Sequence, residues 1–238
     1  VNARIEVSST PPPTNPMTVR RSAKGGNINI NSGKTSGVAI NVSSSAQLLA
    51  LLDAAAPGPG GKIVLHATAP SGNSSAINID NQNGAIVADR GTVLVQHDGD
   101  SGAINVSNAN IRADVVKIGA LGTNGTLTIG GGTTNMIGAD NILKLYASGS
   151  NGELKFVSDV TLSSGSAMYL AAGKITINPT FVVTVNGAGG AANVYTNNPN
   201  YSGPGGNNPS NGSFGGNGAN APQPLASAPP FNPSGGGP

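Results

Sequence analysis

A short unit recurs along the chain in which a small turn residue precedes four residues of alternating character. Ile, Leu, Val or Phe stands at every second position, which is the period-2 pattern of a half-buried β-strand. From residue 75 onward the units begin about 21 to 27 residues apart, a spacing at which one structural unit stacks on the next. The units occupy residues 26–30, 61–65, 75–79, 102–106, 125–129, 152–156 and 173–177.

Further strand patterns lie between these units, at residues 114–121, 141–146 and 159–162. The Asn-Gly pairs at 83–84, 124–125 and 151–152 take corresponding places in successive units, as corners of stacked coils would. Two or three short strands per unit, joined by corners, predict an all-β fold, a single-stranded parallel β-helix or β-solenoid. Its narrow core leaves little room for large rings, which agrees with an aromatic content of 3% and no Trp.

One segment departs from the strand pattern, and we predict a short N-terminal capping helix over about residues 45–56. Ser44 is a suitable N-cap, leucines at 48, 49, 51 and 52 fit one helical face, and Pro57-Gly58-Pro59-Gly60 would stop the helix. A helix over the first coil would shield an open sheet edge. A helix packed sideways as an insertion is the alternative.

Composition restricts the class of protein further. Only 9% of the 238 residues are charged and the net charge is +2, so the sequence gives no electrostatic argument for nucleic acid. There is no Cys and no 20-residue apolar run, which removes disulfides and predicts no membrane insertion. Because the chain starts at Val1 without a leader pattern, we expect an exported, mature product located outside the cell or on its surface.

Composition also divides the chain into an extended arm (1–24), a β-solenoid body (25–187) and a Gly/Asn/Pro-rich tail (188–238) that carries no charge. We predict that the two ends act in assembly: the arm as a strand, and the tail through isolated apolar side chains that enter pockets. These ends either fold back on their own domain or are exchanged between identical subunits. The candidate assembly residues are Val1, Ala3, Ile5, Val7, Tyr195, Tyr201, Phe214, Leu225 and Phe231.

The segments 109–122, 138–147 and 170–177, together with the tail after residue 196, resemble the C-terminal part of filamentous-haemagglutinin-like large bacterial exoproteins. The resemblance spans about residues 75–186 and implies a secreted β-helix with an adhesive function. The chain is much shorter than such exoproteins, and neither a two-partner secretion domain nor a membrane barrel is recognisable in it. A processed fragment and a small dedicated relative both remain open.

Candidate chemistry is sparse. Asp98 and Asp100 flank a Gly as calcium ligands can, but a full loop is missing, and solvated turn residues are the simpler interpretation. His66 and His97 belong to no zinc-binding pattern. We therefore predict no catalytic residue, metal or other cofactor. The predicted function is that of a structural surface protein which self-assembles head to tail into a filament through its termini, or acts in adhesion.

The partners predicted with this function are identical subunits, and a surface glycan or protein receptor if the protein is an adhesin. The alternative is a carbohydrate-active β-helix enzyme of the lyase or hydrolase type. The enzyme hypothesis requires several carboxylates in one cleft, and the sequence shows no pattern that predicts such a cleft.

Overall fold

The fold comes from a computed structural model. The structure describes residues 4–6, 26–43, 46–51, 60–68, 74–132, 135–203 and 206–233. These residues form 17 β-strands and one short 3-10 turn, and contain no α-helix. The strands are β1 (Arg4–Glu6), β2 (Asn27–Ser32), β3 (Val38–Val42), β4 (Gln47–Ala50), β5 (Lys62–Ala67), β6 (Ala76–Asp80), β7 (Ala85–His97), β8 (Ala103–Ser107), β9 (Asn110–Ala120), β10 (Thr126–Ile129), β11 (Met136–Ala147), β12 (Glu153–Phe156), β13 (Val160–Ser164), β14 (Ala167–Ile177), β15 (Val182–Asn186), β16 (Asn193–Asn200) and β17 (Ser213–Gly216), and the turn is Leu225–Ser227.

All pairings between these strands are parallel, and they build three sheets that the chain visits in rotation. Sheet A contains β2, β5, the second halves of β7, β9 and β11, and the first halves of β14 and β16. Sheet B contains β3, β6, β8, β10, β12 and the second halves of β14 and β16. Sheet C contains β1, β4, the first halves of β7, β9 and β11, and then β13, β15 and β17. The predicted parallel β-solenoid is confirmed.

The core consists of columns of like residues stacked from coil to coil. In sheet A one column runs through Leu65, Val95, Ile118, Leu145, Leu170 and Val194, all buried. In sheet C a second column runs through Ile86, Ile111, Ile137, Leu162 and Val185. Each backbone hydrogen-bond ladder fixes the register, so the period-2 pattern of the sequence places every second side chain inside.

The predicted helix over residues 45–56 is wrong where the structure describes it. Residues 47–50 form β4, which pairs with β7 so that Gln47 faces Ala85 and Leu48 faces Ile86. Leu48 and Ala50 are buried, while Gln47 and Leu49 are half-buried, which is the alternation of a strand. The leucine pattern fits both periods over so short a stretch, and pairing with β7 overrides the local helix preference. Residues 52–59 lie outside the described residues.

Strands from both termini join the same stack. In the predicted arm, β1 pairs with β4 in sheet C, with Ile5 opposite Leu48, whereas Val1, Ala3 and Val7 lie outside the described residues. In the predicted tail, β16 continues sheets A and B and β17 continues sheet C. No helix in the described part of the chain is long and apolar enough to span a membrane.

Candidate functional site

The outer face of sheet A is unusual because most of its outward side chains on β7, β9 and β11 are buried. One outward column runs through Leu94, Lys117, Lys144 and Tyr169, and the next through Gln96, Gly119, Tyr146, Ala171 and Tyr195. Both lysines are 0% exposed, and Tyr146 and Leu94 are 2% and 4% exposed. Outward side chains this inaccessible require a cover, since lysine is almost never fully buried without a partner.

That cover is formed by residues 225–233, which we name the C-terminal segment. The segment starts beside β16, where the Leu225 amide donates to Asn197 Oδ1 at 3.2 Å. It then runs back across the sheet toward earlier coils. Tyr146 Oη donates to the Pro229 carbonyl at 2.7 Å, Lys144 Nζ to that of Pro230 at 2.9 Å, and Lys117 Nζ to that of Asn232 at 2.7 Å.

The aromatic ring of Phe231 fixes the segment between these hydrogen bonds. Its centroid lies 5.5 Å from that of Tyr146, with the rings inclined at 50°. The ring lies over Gly119, where an added Cβ would stand 2.7 Å from ring carbons Cε2 and Cζ. Glycine is therefore required at 119 to make room for the ring. Leu225, Ala228, Tyr169 and Tyr195 complete this apolar cluster, which is separate from the core inside the coils.

Burial dominates the electrostatics of the site. Burial, with the neighbouring charges of Lys144 and Lys62, lowers the pKa of Lys117 to about 8. Burial also lowers the pKa of Lys144, whose ammonium lies 5.5 Å from the Tyr169 ring centroid. Burial raises the pKa of Tyr146 far above its usual range, so its hydroxyl remains a donor at all physiological pH values. The site thus presents three donors to three main-chain carbonyls.

The candidate assembly residues of the tail fall into two groups. Tyr195, Leu225 and Phe231 belong to the cluster on the outer face of sheet A. Tyr201 and Phe214 instead close the C-terminal end of the core, with ring centroids 5.1 Å apart and edge to face, and Phe214 also lies 6.5 Å from the Phe156 ring. Tyr201 is 1% exposed, and burial raises its pKa to about 12. All five side chains contact their own chain.

The sequence did not identify the residues of the site that lie on the β-solenoid body. These are Lys117, Gly119, Lys144 and Tyr146. A signal was available in the strands that carry them. Residues 115–120 and 142–147 do not alternate between apolar and polar positions, because Val115 and Ile142 stand at outward positions. Loss of alternation marks a strand that is buried on both faces.

The two histidines take structural positions. The Gly99 amide donates to His97 Nδ1 at 3.0 Å, so the neutral ring carries its proton on Nε2, which lies 2.9 Å from Ser75 Oγ. Burial lowers the pKa of His97, which favours this neutral form. A ring that donates to a serine hydroxyl cannot act as its general base in this tautomer. The Ser75 and His97 pair therefore lacks the arrangement of an activated nucleophile.

His66 and Asp98 form an accessible pair, with Nε2 and Oδ2 2.7 Å apart, and Gln96 donates to the other Asp98 oxygen at 2.6 Å. Asp98 is thus held by protein side chains rather than aimed at a ligand. Among the described residues, no group of three or more His, Asp or Glu side chains is placed to hold a metal ion.

Comparison of the chain with protein-family models, curated proteins and solved structures gives no match. The class of protein is therefore defined by the fold and the site alone. The chain is a parallel β-solenoid whose C-terminal segment is bound across the outer face of one of its three sheets.

Proposed function

We propose that the chain is a structural protein of the bacterial cell surface or extracellular space that acts by self-assembly or adhesion. The observation that carries the proposal is the uninterrupted hydrogen-bonded stack, which extends from β2 through β16 in sheet A. Such a stack is stiff along its axis and is stabilised by contacts between neighbouring coils. The bacterial and extracellular parts of the proposal rest on the resemblance of about residues 75–186 to large bacterial exoproteins.

Side-chain ladders reinforce the stack on its outside. Asn105 Nδ2 donates to Asn78 Oδ1 at 2.9 Å, and Asn151 Nδ2 donates to Asn124 Oδ1 at 3.0 Å. These bonds join equivalent positions of successive coils, as Asn ladders do in other stacked β-structures. With 9% charged residues, the surface relies on such amide and hydroxyl groups for hydration. A rod of this kind suits a mechanical role.

The two ends of the stack differ. At the N-terminal end, the described residues leave a cavity of about 340 Å³ that is lined by Ile30, Ile40, Val42 and Leu48. At the C-terminal end Tyr201 and Phe214 fill the core, Ala219 pairs with Ala192, and Gln223 pairs with Tyr195 of β16. The last strand of sheet B contains Pro199, which has no amide to donate. We name Tyr201, Phe214 and residues 219–223 the C-terminal cap. Head-to-tail filament growth therefore requires part of the C-terminal cap to leave its own chain.

The test is electron microscopy and light scattering of the purified full chain over a range of concentrations, combined with binding to arrays of glycans and surface proteins. Ordered assemblies, or saturable binding to one receptor class, support the proposal. Dispersed monomers that bind no array component contradict it. A chain that ends at Pro224 serves as the matched sample without the C-terminal segment.

A carbohydrate-active enzyme is the second candidate, and one observation favours it. A cleft of about 300 Å³ on the outer face of sheet C is lined by one carboxylate, Asp140, whose Oδ1 lies 3.4 Å from Arg112 Nη2, beside the exposed Met136. Burial, and then the charge of Asp140, raises the pKa of the neighbouring Asp114. Release of sugar products from a panel of polysaccharides, lost in Asp140→Asn, would favour the enzyme. No release from any of them at acid or neutral pH would contradict it.

A further inference from the structure

The C-terminal segment is bound by a site that belongs wholly to the body of the protein. All three donors, Lys117, Lys144 and Tyr146, lie on sheet A, and all three acceptors are main-chain carbonyls of the segment. The main apolar contact is the Phe231 ring over Gly119, and Leu225 and Ala228 of the segment pack in the same cluster. A second copy of the chain carries the same ring and the same carbonyls, so the site cannot distinguish its own segment from that of a neighbour.

The connection to the last coil permits the segment to leave without breaking the stack. Before the segment, Ala219 pairs with Ala192 and Gln223 pairs with Tyr195 of β16, and the 3-10 turn Leu225–Ser227 that follows contains no fully buried residue. Solenoid coils are stabilised mainly by their nearest neighbours, so release of the segment leaves the coils intact. The segment can therefore detach from Leu225 onward while the paired residues before it stay in place.

The charges under the segment make its release easier than its buried area suggests. Lys117 and Lys144 are adjacent in register and both are inaccessible to water. Two ammonium groups held side by side away from water carry a desolvation cost that is recovered when the segment lifts. A segment whose opening costs little free energy opens more often than the rest of the fold. Once open, it is free to bind to another molecule.

From these contacts we infer that the outer face of sheet A also binds the C-terminal segment of a second copy of this chain, and that two copies exchange residues 225–233 reciprocally. The inference rests on the self-assembly in the proposed function and names its site and partner. Fully extended, the segment spans roughly 30 Å, so it reaches a copy whose sheet A faces its own. Reciprocal exchange of this kind is isologous and closes as a dimer.

The chain contains no Cys, which makes a single-cysteine experiment unambiguous. Leu121 lies beside the Phe231 position on the body, and Pro233 is an exposed residue of the segment. We would mix a Leu121→Cys copy with a Pro233→Cys copy, incubate them at high concentration, and treat the mixture with a flexible bis-maleimide. A chain that carries both Leu121→Cys and Pro233→Cys, the double variant, can cross-link within one copy. It shows whether the bis-maleimide spans the distance between the two positions.

Exchange predicts covalent pairs of one Leu121→Cys copy and one Pro233→Cys copy, increasing with concentration. Adding Phe231→Ala should reduce these pairs about tenfold or more, because burial of the ring supplies much of the binding. Met136→Ala, which truncates an exposed apolar side chain on sheet C, is the matched control and should leave them unchanged.

Cross-links confined to the double variant at every concentration would overturn the exchange. Light scattering of the same samples separates the two proposals. Assemblies without mixed cross-links contradict the exchange while self-assembly stands. Monomers throughout contradict both the exchange and the self-assembly.

Discussion

Gly119→Ala should free the C-terminal segment while leaving the solenoid folded. The added methyl group would lie 2.7 Å from the Phe231 ring and 2.9 Å from Leu121 Cδ2, so the ring must leave its position. The Gly119 backbone has no positive φ, and alanine is therefore tolerated there by the main chain. The change thus acts on one contact rather than on the coil.

The size of the effect follows from the burial of Phe231, which is 8% exposed. Burial of a phenylalanine side chain contributes about 1.5–3 kcal/mol. Loss of most of it should raise the open population of the segment about ten- to a hundredfold. The hydrogen bonds from Lys117, Lys144 and Tyr146 remain available, so some closed population persists.

Chymotrypsin cleavage after Phe231 measures this population, because the ring must enter the protease pocket and cannot do so while it lies against sheet A. Mass spectrometry should detect release of residues 232–238 about ten- to a hundredfold faster in Gly119→Ala. When reclosing is fast relative to cleavage, the rate follows the open population. The urea midpoint of the solenoid should stay the same.

Gly138→Ala is the matched control, since it adds the same methyl group on the outer face of sheet C, 2.8 Å from Ser163 Oγ. It should not change cleavage after Phe231. Equal cleavage rates in the wild-type chain and Gly119→Ala would refute the assignment of Gly119 as the position of the ring. A fall in the urea midpoint that parallels the faster cleavage would show that segment and solenoid unfold together.

Two further predictions concern the core and the buried lysines. Leu145→Ala, in the middle of a fully buried column, should lower the free energy of unfolding measured in urea by about 2–5 kcal/mol. Thr128→Ala, at an outward position, should change it by no more than about 0.5 kcal/mol. Similar losses in the two variants would contradict the register. Because the folded-state pKa of Lys117 is lowered from 10.5 to about 8, its charge opposes the closed state at neutral pH. Raising the pH from about 7.5 to about 9.5 removes that cost and should stabilise the closed segment by up to about 2 kcal/mol, which slows chymotrypsin cleavage after Phe231 relative to cleavage of a short peptide substrate at the same pH. Lys117→Met should reduce this gain to the part that Lys144 contributes, since burial also lowers the pKa of Lys144, and a gain of undiminished size in that variant would contradict its origin in Lys117. The titratable side chains around it are Lys62, Lys144, Tyr146, Tyr169 and Tyr195.

The strands of the solenoid were predictable because each coil repeats a local pattern. The unit at 102–106 shows this, since Ile104 and Val106 alternate with outward residues in the sequence and are buried in β8. The capping helix was not excluded by sequence, because Leu48 and Ala50 satisfy a strand and the surrounding leucines satisfy a helix. Only the pairing of β4 with β7, more than 35 residues away in the chain, decides between them.

The candidate site was predictable in part. Tyr195, Leu225 and Phe231 stood out as isolated apolar residues in a Gly/Asn/Pro-rich tail, and in the structure they contact the body of their own chain. Their partners did not stand out. Lys144 and Pro230 are 86 residues apart, and the acceptor is a main-chain carbonyl that every residue possesses. A hydrogen bond to the backbone leaves no side-chain signature in the segment that accepts it.

The prolines of the C-terminal segment explain why it binds through carbonyls alone. Pro229 and Pro230 have no amide hydrogen, so this part of the segment cannot add to a sheet edge as a strand does. It can still accept hydrogen bonds, and the lysines and the tyrosine of sheet A supply the donors that a strand edge would have supplied. The segment therefore covers the face of a sheet without offering a new edge for further strands. This arrangement favours a closed exchange between two copies over open-ended growth at this site.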